Sequence, residues 1–462
     1  MTKKRGYRSG WWIRTGSVAV LSATVLSFTA QTPALEAPGT SFHPVSPTQP
    51  MPYRTTFHGS DPLPLAQGFD IAALESMAEQ LTYGQRVPGL AMVVVQNGRV
   101  LSARGYGITD VNMPQPVDAH TVFRLASLSK AFAGTLTGVL INDGNLRWDS
   151  KVVDYVPSFN LSDPVATRHL TVADLLSHRV GLRSYNAYDR DIEANASYVD
   201  ATQKLASAPL RCSPGECYAY QNVAFSLIGD VIFAASGKFY EQEMQRRIFK
   251  PLGMNDASLG LSGIESSIAW ARPHVRTRDG WVSVAPKPTY YRLPPAAGVN
   301  ASASDMAQWL LAQTGHRPDV LPAPLLATLH APIIATPGEM RSGWRRERIG
   351  SASYALGWRV FDYAGRQLLF HAGAVQGYRG MVALLPERDL GVAILWNSES
   401  NVPTGLLPTV IDRALGLPPQ RWLDVDTTLG SDSIFVENSN SAPAIDQNTG
   451  GASSVNATAS PR

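Results

Sequence analysis

The sequence predicts an α/β (α+β) fold: an antiparallel sheet flanked by helices, with an all-helical subdomain inserted between its two halves. Three observations point there. A helical period over 70–82 is followed by two β-rich runs around Gln96-Asn97-Gly98. From about 145 to 290 helical patterns dominate, as in LTVADLLSH and NVAFSLIGDVIFAASG. From about 355 short strand-like runs return, YALGWRVFDY, RQLLFHAG, YRGMVALLP and LGVAILWN, with turn residues between them. Split sheet halves around a helical block are satisfied most simply by one layered domain.

The chain opens on a basic stretch, residues 1–16, followed by the apolar run SVAVLSATVLSFTA at 17–30. Fourteen residues fall short of the about 20 that a spanning helix needs. The pattern fits a signal peptide over 1–34, and the sequence is expected to work in the periplasm or outside the cell, or tethered to the membrane if the leader is uncleaved. No later stretch is long and apolar enough to span. Residues 35–66 are rich in Pro, Thr and Ser and read as a linker. A catalytic domain is expected over 67–427, with its helical subdomain at about 145–290. Within it, 70–82 is a helix led by Asp70, the Asn97-Gly98 pair closes a hairpin, and 124–141 is a buried helix stopped by Asn142-Asp143-Gly144. A last helix covers 404–416. Residues 428–462, rich in Ser, Asn, Ala, Gly and Thr, read as a disordered tail.

Composition narrows the function. Hydrophobic residues make up 44% and charged residues 17%, a globular balance. The net charge of +3 comes from the leader, where Lys3, Lys4, Arg5, Arg8 and Arg14 precede any acid. Without them 35 basic residues face 37 acidic ones, a net of −2. No nucleic-acid partner held by phosphate contacts is expected. The two cysteines, Cys212 and Cys217, flank the turn formers Pro214 and Gly215. An oxidising compartment makes them a short-loop disulfide; otherwise they are two free thiols near a turn. Neither they nor the nine histidines form a metal-ligand set, and no cofactor motif is present.

What remains is a serine with a lysine one helical turn later, Ser127 and Lys130 in FRLASLSKAF. Positions i and i+3 share a helix face. A helix N-terminus and desolvation both favour a neutral lysine, which accepts a serine proton. Such a pair is common by chance. The second element is Tyr220 with Asn222 in PGECYAYQNVAF. A tyrosine working as a base near neutrality needs its pKa lowered by about 3 units, roughly 4 kcal/mol, and a neighbouring ammonium supplies much of that. The bland alternative is a core tyrosine beside a helix-capping asparagine. The third element is His371, Gly373 and Ala374 in LLFHAGAVQGYRG. Small residues there let a substrate lie along an edge strand, where backbone N–H groups meet an oxyanion.

SxxK, then YxN about ninety residues on, then HxG near the C-terminus resembles the serine β-lactamase and penicillin-recognising family. The likeness is to class C β-lactamases and related D-aminopeptidases and esterases. The flanking phrases LTVADLLSHRVGL, IFKPLGMNDASLG and AAGVNASASDMAQWL extend it over roughly 70–415. The resemblance implies a Ser127 acyl-enzyme, with Lys130 and Tyr220 sharing the acid–base work as a coupled pair. It implies Asn222 on the substrate side and an oxyanion hole from the Ser127 and Ala374 amides. His371 stands where many β-lactamases carry lysine, which replaces a permanent cation with a pH-dependent charge and weakens the case for efficient β-lactam hydrolysis. The implied partner is a small-molecule or peptide substrate: a cell-wall D-peptide or peptidoglycan fragment, a β-lactam, or a small ester. The alternative is a non-catalytic or slowly deacylating penicillin-binding protein. His178 reads as a structural helix-end residue, and Arg341, Arg345, Arg346 and Arg348 read as a solvated loop, with the lining of a pocket for an acidic substrate as the alternative.

Overall fold

The computed structural model describes residues 62–341 and 343–427. The expected leader, nearly all of the linker and the tail at 428–462 lie outside the described residues. Eight strands form the main sheet: β1 Gly89–Gln96, β2 Arg99–Gly107, β3 Ile334–Ala335, β4 Ile349–Tyr354, β5 Arg359–Tyr363, β6 Arg366–Val375, β7 Tyr378–Leu385 and β8 Leu390–Trp396. Their order is β2-β1-β8-β7-β6-β5-β4-β3, antiparallel throughout. The chain's last strand thus pairs with its first, which joins the two sheet halves on either side of the intervening block.

Both sheet faces are covered. Leu90, Met92 and Val94 of β1, with Val392, Ile394 and Trp396 of β8, pack under helices α1 (Ile71–Thr82) and α4 (Leu406–Leu415). Ala91, Val93, Val95, Ala393 and Leu395 face α2 (Ser129–Asn142) and α3 (Ala303–Gln313). The period of two sends alternate residues to opposite helical layers. With neither face wet, β1 and β8 read as unbroken apolar runs.

Local signals explain most boundaries. Asp70 caps α1 by accepting from the Ala72 N–H at 2.9 Å. Asn97 and Gly98 have φ of 49° and 70°, as the two-residue turn of the β1–β2 hairpin requires. α2 is buried on nearly all sides, as a helix with apolar residues around its circumference must be. Phe132 stacks on Trp309 of α3 at 3.7 Å.

The structure departs from expectation in three places. α2 begins at Ser129, not 124. Phe123 and Arg124 pair instead with Ala301 and Asn300, and the Leu125 N–H bonds to Val299. A 3₁₀ turn, Ala126–Leu128, then leads into the helix. The block at 145–290 is not all-helical: it carries the short strand Ser258–Leu259 and a hairpin, His274–Thr277 with Gly280–Ser283. Its two-residue turn is Arg278-Asp279, and Gly280 opens the second strand with φ 125°. The arginine-rich segment is solvated at Arg341 and Arg346, but not throughout. It forms a short helix, Gly343–Arg348, in which Arg345 is buried on Glu339 at 2.8 Å and Arg348 pairs with Asp412 at 2.8 Å.

The cysteines do form a disulfide, Cys212–Cys217, closing the turn at Gly215. Arg179 ties this loop to the body, donating to the Gly215 carbonyl at 3.1 Å while pairing with Asp174 at 2.8 Å. Replacing both cysteines by serine should cost about 2 kcal/mol, the loop-closure value for so short a ring. Urea denaturation of the two proteins measures it, and an unchanged midpoint would contradict a structural bond.

Candidate active site

Residues 121–138 form one buried run, broken only by Ser127, which is half-exposed. The backbone produces that exception. Ala126 takes the left-handed region, φ 49°, which costs a non-glycine residue about 1–2 kcal/mol. The sharp turn lifts Ser127 out of the packing just before α2 begins, and strain of this kind gathers at functional sites.

Lys130, one turn on, has no exposed surface. Its Nζ lies 3.2 Å from Ser127 Oγ, 2.7 Å from Asn222 Oδ1 and 3.0 Å from the Ala296 carbonyl. A neutral amine carries two N–H donors and one lone pair. Asn222 and Ala296 are pure acceptors here and occupy the two donors. The lone pair is left for the Ser127 hydroxyl. Burial drives the Lys130 pKa well below the ordinary amine range; Asp189 opposes this and Arg359 reinforces it.

Tyr220 comes from the irregular segment before the short helix Val223–Ser226. Its ring centre lies 4.7 Å from Lys130 Nζ, and its phenol hydrogen-bonds the Ser127 side chain. Burial pushes the phenol up, while Arg359 and the Ser127 contact pull it back. Burial thus disfavours both the ammonium form of Lys130 and the phenolate form of Tyr220. Asn222 stands at the N-cap of that short helix, yet its side chain caps nothing. It turns inward, offering Oδ1 to Lys130 and donating Nδ2–H to Asp189 at 2.6 Å. Asp189 Oδ2 accepts from both this amide and the Tyr290 hydroxyl, which fixes which way the amide points.

β6 closes the site. A Cβ built on Gly373 would sit 2.3 Å from the Leu125 carbonyl and 3.2 Å from the Ser127 amide. Only glycine lets this strand come so close, and the next residue, Ala374, is half-exposed beside the same turn. Hydroxyl, amine, phenol and amide thus meet at one half-exposed point.

The sequence profile of the Beta-lactamase family matches residues 74–415. The chain belongs to the beta-lactamase family. Among solved structures, this beta-lactamase-family chain is similar to the octameric penicillin-binding protein homologue from Pyrococcus abyssi. The two superpose with a TM-score of 0.67 at 24% identity, covering 76% of this chain and 78% of that one. The D-amino acid amidase from Ochrobactrum anthropi SV3 gives 0.60 at 20% identity, over 75% and 97%. A class C beta lactamase from Rhodobacter sphaeroides gives 0.57 at 23% identity, over 74% and 98%. These likenesses show the fold. Unguisins hydrolase ungD of Aspergillus violaceofuscus is 26% identical over 365 residues, which are 73% of this chain and 64% of that protein. The chain thus matches somewhat less than two thirds of that relative's length.

His371 of the family's third motif is not the pH-dependent cation expected from its sequence position. It has no exposed surface. Its Nδ1 donates to the Ala372 carbonyl at 2.8 Å, and Nε2 faces Arg359 Nη1 at 3.2 Å and the Tyr354 hydroxyl at 3.1 Å. Burial, then Arg359, push its pKa well below the usual histidine value. The charged form of the ring is thus disfavoured.

Several neighbours carry no sequence motif. His178, read as a helix-end residue, is buried against Tyr220, with ring centres 4.2 Å apart, and its Nδ1 accepts from the Gln221 N–H. Asp189 is buried, and Tyr290 donates to it at 3.2 Å. Arg359, Glu339 and Tyr354 form a buried wall behind Tyr220. Among the described residues no group of three or more His, Cys, Asp or Glu side chains is placed to hold a metal ion.

Two outcomes test this geometry. Gly373→Ala forces a methyl onto backbone, so it should lower stability by about 1–3 kcal/mol and slow any reaction at Ser127; a normal melting temperature with normal reactivity would refute the close approach. Asp189 is raised from 3.8 to about 7, chiefly by burial. A carboxyl raised on folding contributes stability that is intact below its unfolded pKa and is lost as pH climbs through its folded value. Urea midpoints should therefore fall between about pH 4 and pH 7, and Asp189→Asn should flatten that part of the curve.

Proposed function

We propose that the chain is a serine hydrolase cleaving amide or ester bonds through a covalent acyl-enzyme on Ser127. The observation that carries this reading is the setting of Lys130, a buried amine whose Nζ lies within hydrogen-bond reach of Ser127 Oγ, Asn222 Oδ1 and the Ala296 carbonyl, beside a half-exposed serine. Lys130 takes the serine proton as Oγ bonds to the carbonyl carbon. Tyr220, protonated at rest, gives its proton to the departing nitrogen or oxygen and recovers one from Lys130. The Ser127 and Ala374 amides hold the oxyanion. Water then attacks the acyl ester, with the same two groups working in reverse.

An amide or ester of a small or peptide-like substrate suits the site better than a β-lactam. The neutral His371 offers no cation on β6 for a ligand carboxylate. The similar D-amino acid amidase was solved with L-phenylalanine amide, an amide of this size. The chain is proposed to act in the periplasm or outside the cell; the apolar run at 17–30 and the Cys212–Cys217 disulfide support that.

Intact-mass spectrometry after incubation with a fluorophosphonate and with p-nitrophenyl esters tests the reading. One adduct per chain is expected, mapped to Ser127 and absent from Ser127→Ala. An adduct persisting in that variant would refute the assignment. An ester adduct that forms without turning over would favour the slowly deacylating penicillin-binding reading. Turnover of aminoacyl amides should exceed that of a chromogenic cephalosporin, and the reverse order would overturn the substrate preference.

A further inference from the structure

Behind Tyr220 lies a charge that the proposed reaction has not yet used. Arg359 projects from β5 with only 3% of its surface exposed. Its guanidinium carbon is 5.3 Å from the centre of the Tyr220 ring and 5.7 Å from that of Tyr354. Nη1 reaches His371 Nε2 at 3.2 Å. On the far side Nε pairs with Glu339 at 3.1 Å, and Arg345 holds the same carboxylate at 2.8 Å. Two guanidinium groups thus share one carboxylate, and the cluster keeps a net positive charge directed at the phenol.

Such a cation acts on both members of the proton-sharing pair. It repels a proton from Lys130 and stabilises a phenolate on Tyr220. Unlike histidine, a guanidinium is charged at every working pH. Against the pull of burial, the Glu339 carboxylate keeps Arg359 charged. The other charged or titratable groups facing the pair are few. Asp189 and Glu339 oppose Arg359 at Tyr220. His178 and His371 are both buried and held neutral, with Arg359 among the causes.

We propose that Arg359, anchored by Glu339, is the positioning residue that sets how the proton is shared between Lys130 and Tyr220, in place of a cation on β6 at the position of neutral His371. The proposal rests on the acyl-enzyme reading above. It assigns β5, and not β6, as the source of the site's fixed positive charge. It also explains why a buried histidine is tolerated in the third motif: the ring is a neutral spacer that accepts from the guanidinium.

The test is the pH dependence of the acylation rate constant, read with a fluorophosphonate on the full chain. Wild type is compared with Arg359→Gln, Arg359→Lys and Glu339→Gln. A unit charge at this range, in an effective dielectric of about 20, shifts a neighbour by about one to two pH units. Arg359→Gln should move the acidic limb toward alkaline pH by about one unit or more. The rate below the limb then falls about tenfold or more, with a smaller loss on the plateau. Arg359→Lys, which keeps the charge, should restore most of the shift. Glu339→Gln should move the limb the opposite way, to lower pH. A role in packing alone scales the whole profile down without moving the limb, and that result in Arg359→Gln would overturn the proposal. So would shifts of the same sign in Arg359→Gln and Glu339→Gln. If Arg359→Gln does not fold, the other two variants decide: an unmoved limb in Glu339→Gln overturns the proposal. Wild type that is never labelled at any pH counts against the acyl-enzyme reading itself.

Discussion

Everything at this site depends on burying one amine. Lys130 has been taken wholly out of water and given two acceptors, Asn222 Oδ1 and the Ala296 carbonyl. An ammonium in that setting needs a third acceptor and a full counter-charge. It has the Ser127 hydroxyl for the first, and only the once-removed Asp189 for the second. Desolvation weighs between the two forms, and it favours the neutral one. The rest of the local structure can be read as what keeps water away from this amine while leaving the serine reachable.

The sheet supplies that enclosure through close backbone approaches. Gly357 has φ 85°, and a Cβ there would lie 2.2 Å from the Lys130 carbonyl. Gly373 makes the matching approach to the Ser127 turn from β6. The start of α2 is therefore clamped between the β4–β5 turn and β6. Val299 adds a third restraint, its N–H donating to Ser129 Oγ at 3.0 Å. A serine turn held from three directions has little freedom to adjust during reaction, which is the condition for preorganised catalysis. The positive φ at Ala126 persists because these contacts over-determine it.

How much of this was legible in the sequence followed from how locally each feature is encoded. The β1–β2 hairpin was, because Asn97-Gly98 carries its turn in two residues. α1 and the final strands were, because period and punctuation coincide. Ser127, Lys130, Tyr220 and Asn222 stood out because each pair is separated by only two or three positions. The start of α2 was misplaced because the pairing of Phe123–Arg124 with Asn300–Ala301 joins segments some 177 positions apart. The wall behind Tyr220 left no mark for the same reason. Glu339 and Arg359 are isolated charges and Asp189 is one of several in YDRDIE, and a charge of either kind reads as solvated surface. Arg345 and Arg348 were misread in this way. Only burial, a tertiary fact, turns such residues into electrostatic parts of a site. His371 shows the converse. Its motif was visible, but its charge state depends on Arg359 and Tyr354, twelve and seventeen positions away.

The account's central claim is that Lys130 is an unprotonated amine at rest. The direct measurement is a pH titration of the lysine side-chain ¹³Cε signals by NMR, with Lys130 assigned by its loss in Lys130→Met. The account predicts one signal that titrates well below the ordinary lysine range, or stays in its neutral position across the stable pH range, while the surface lysines titrate near their usual value. A Lys130 signal that titrates with the surface lysines would contradict it.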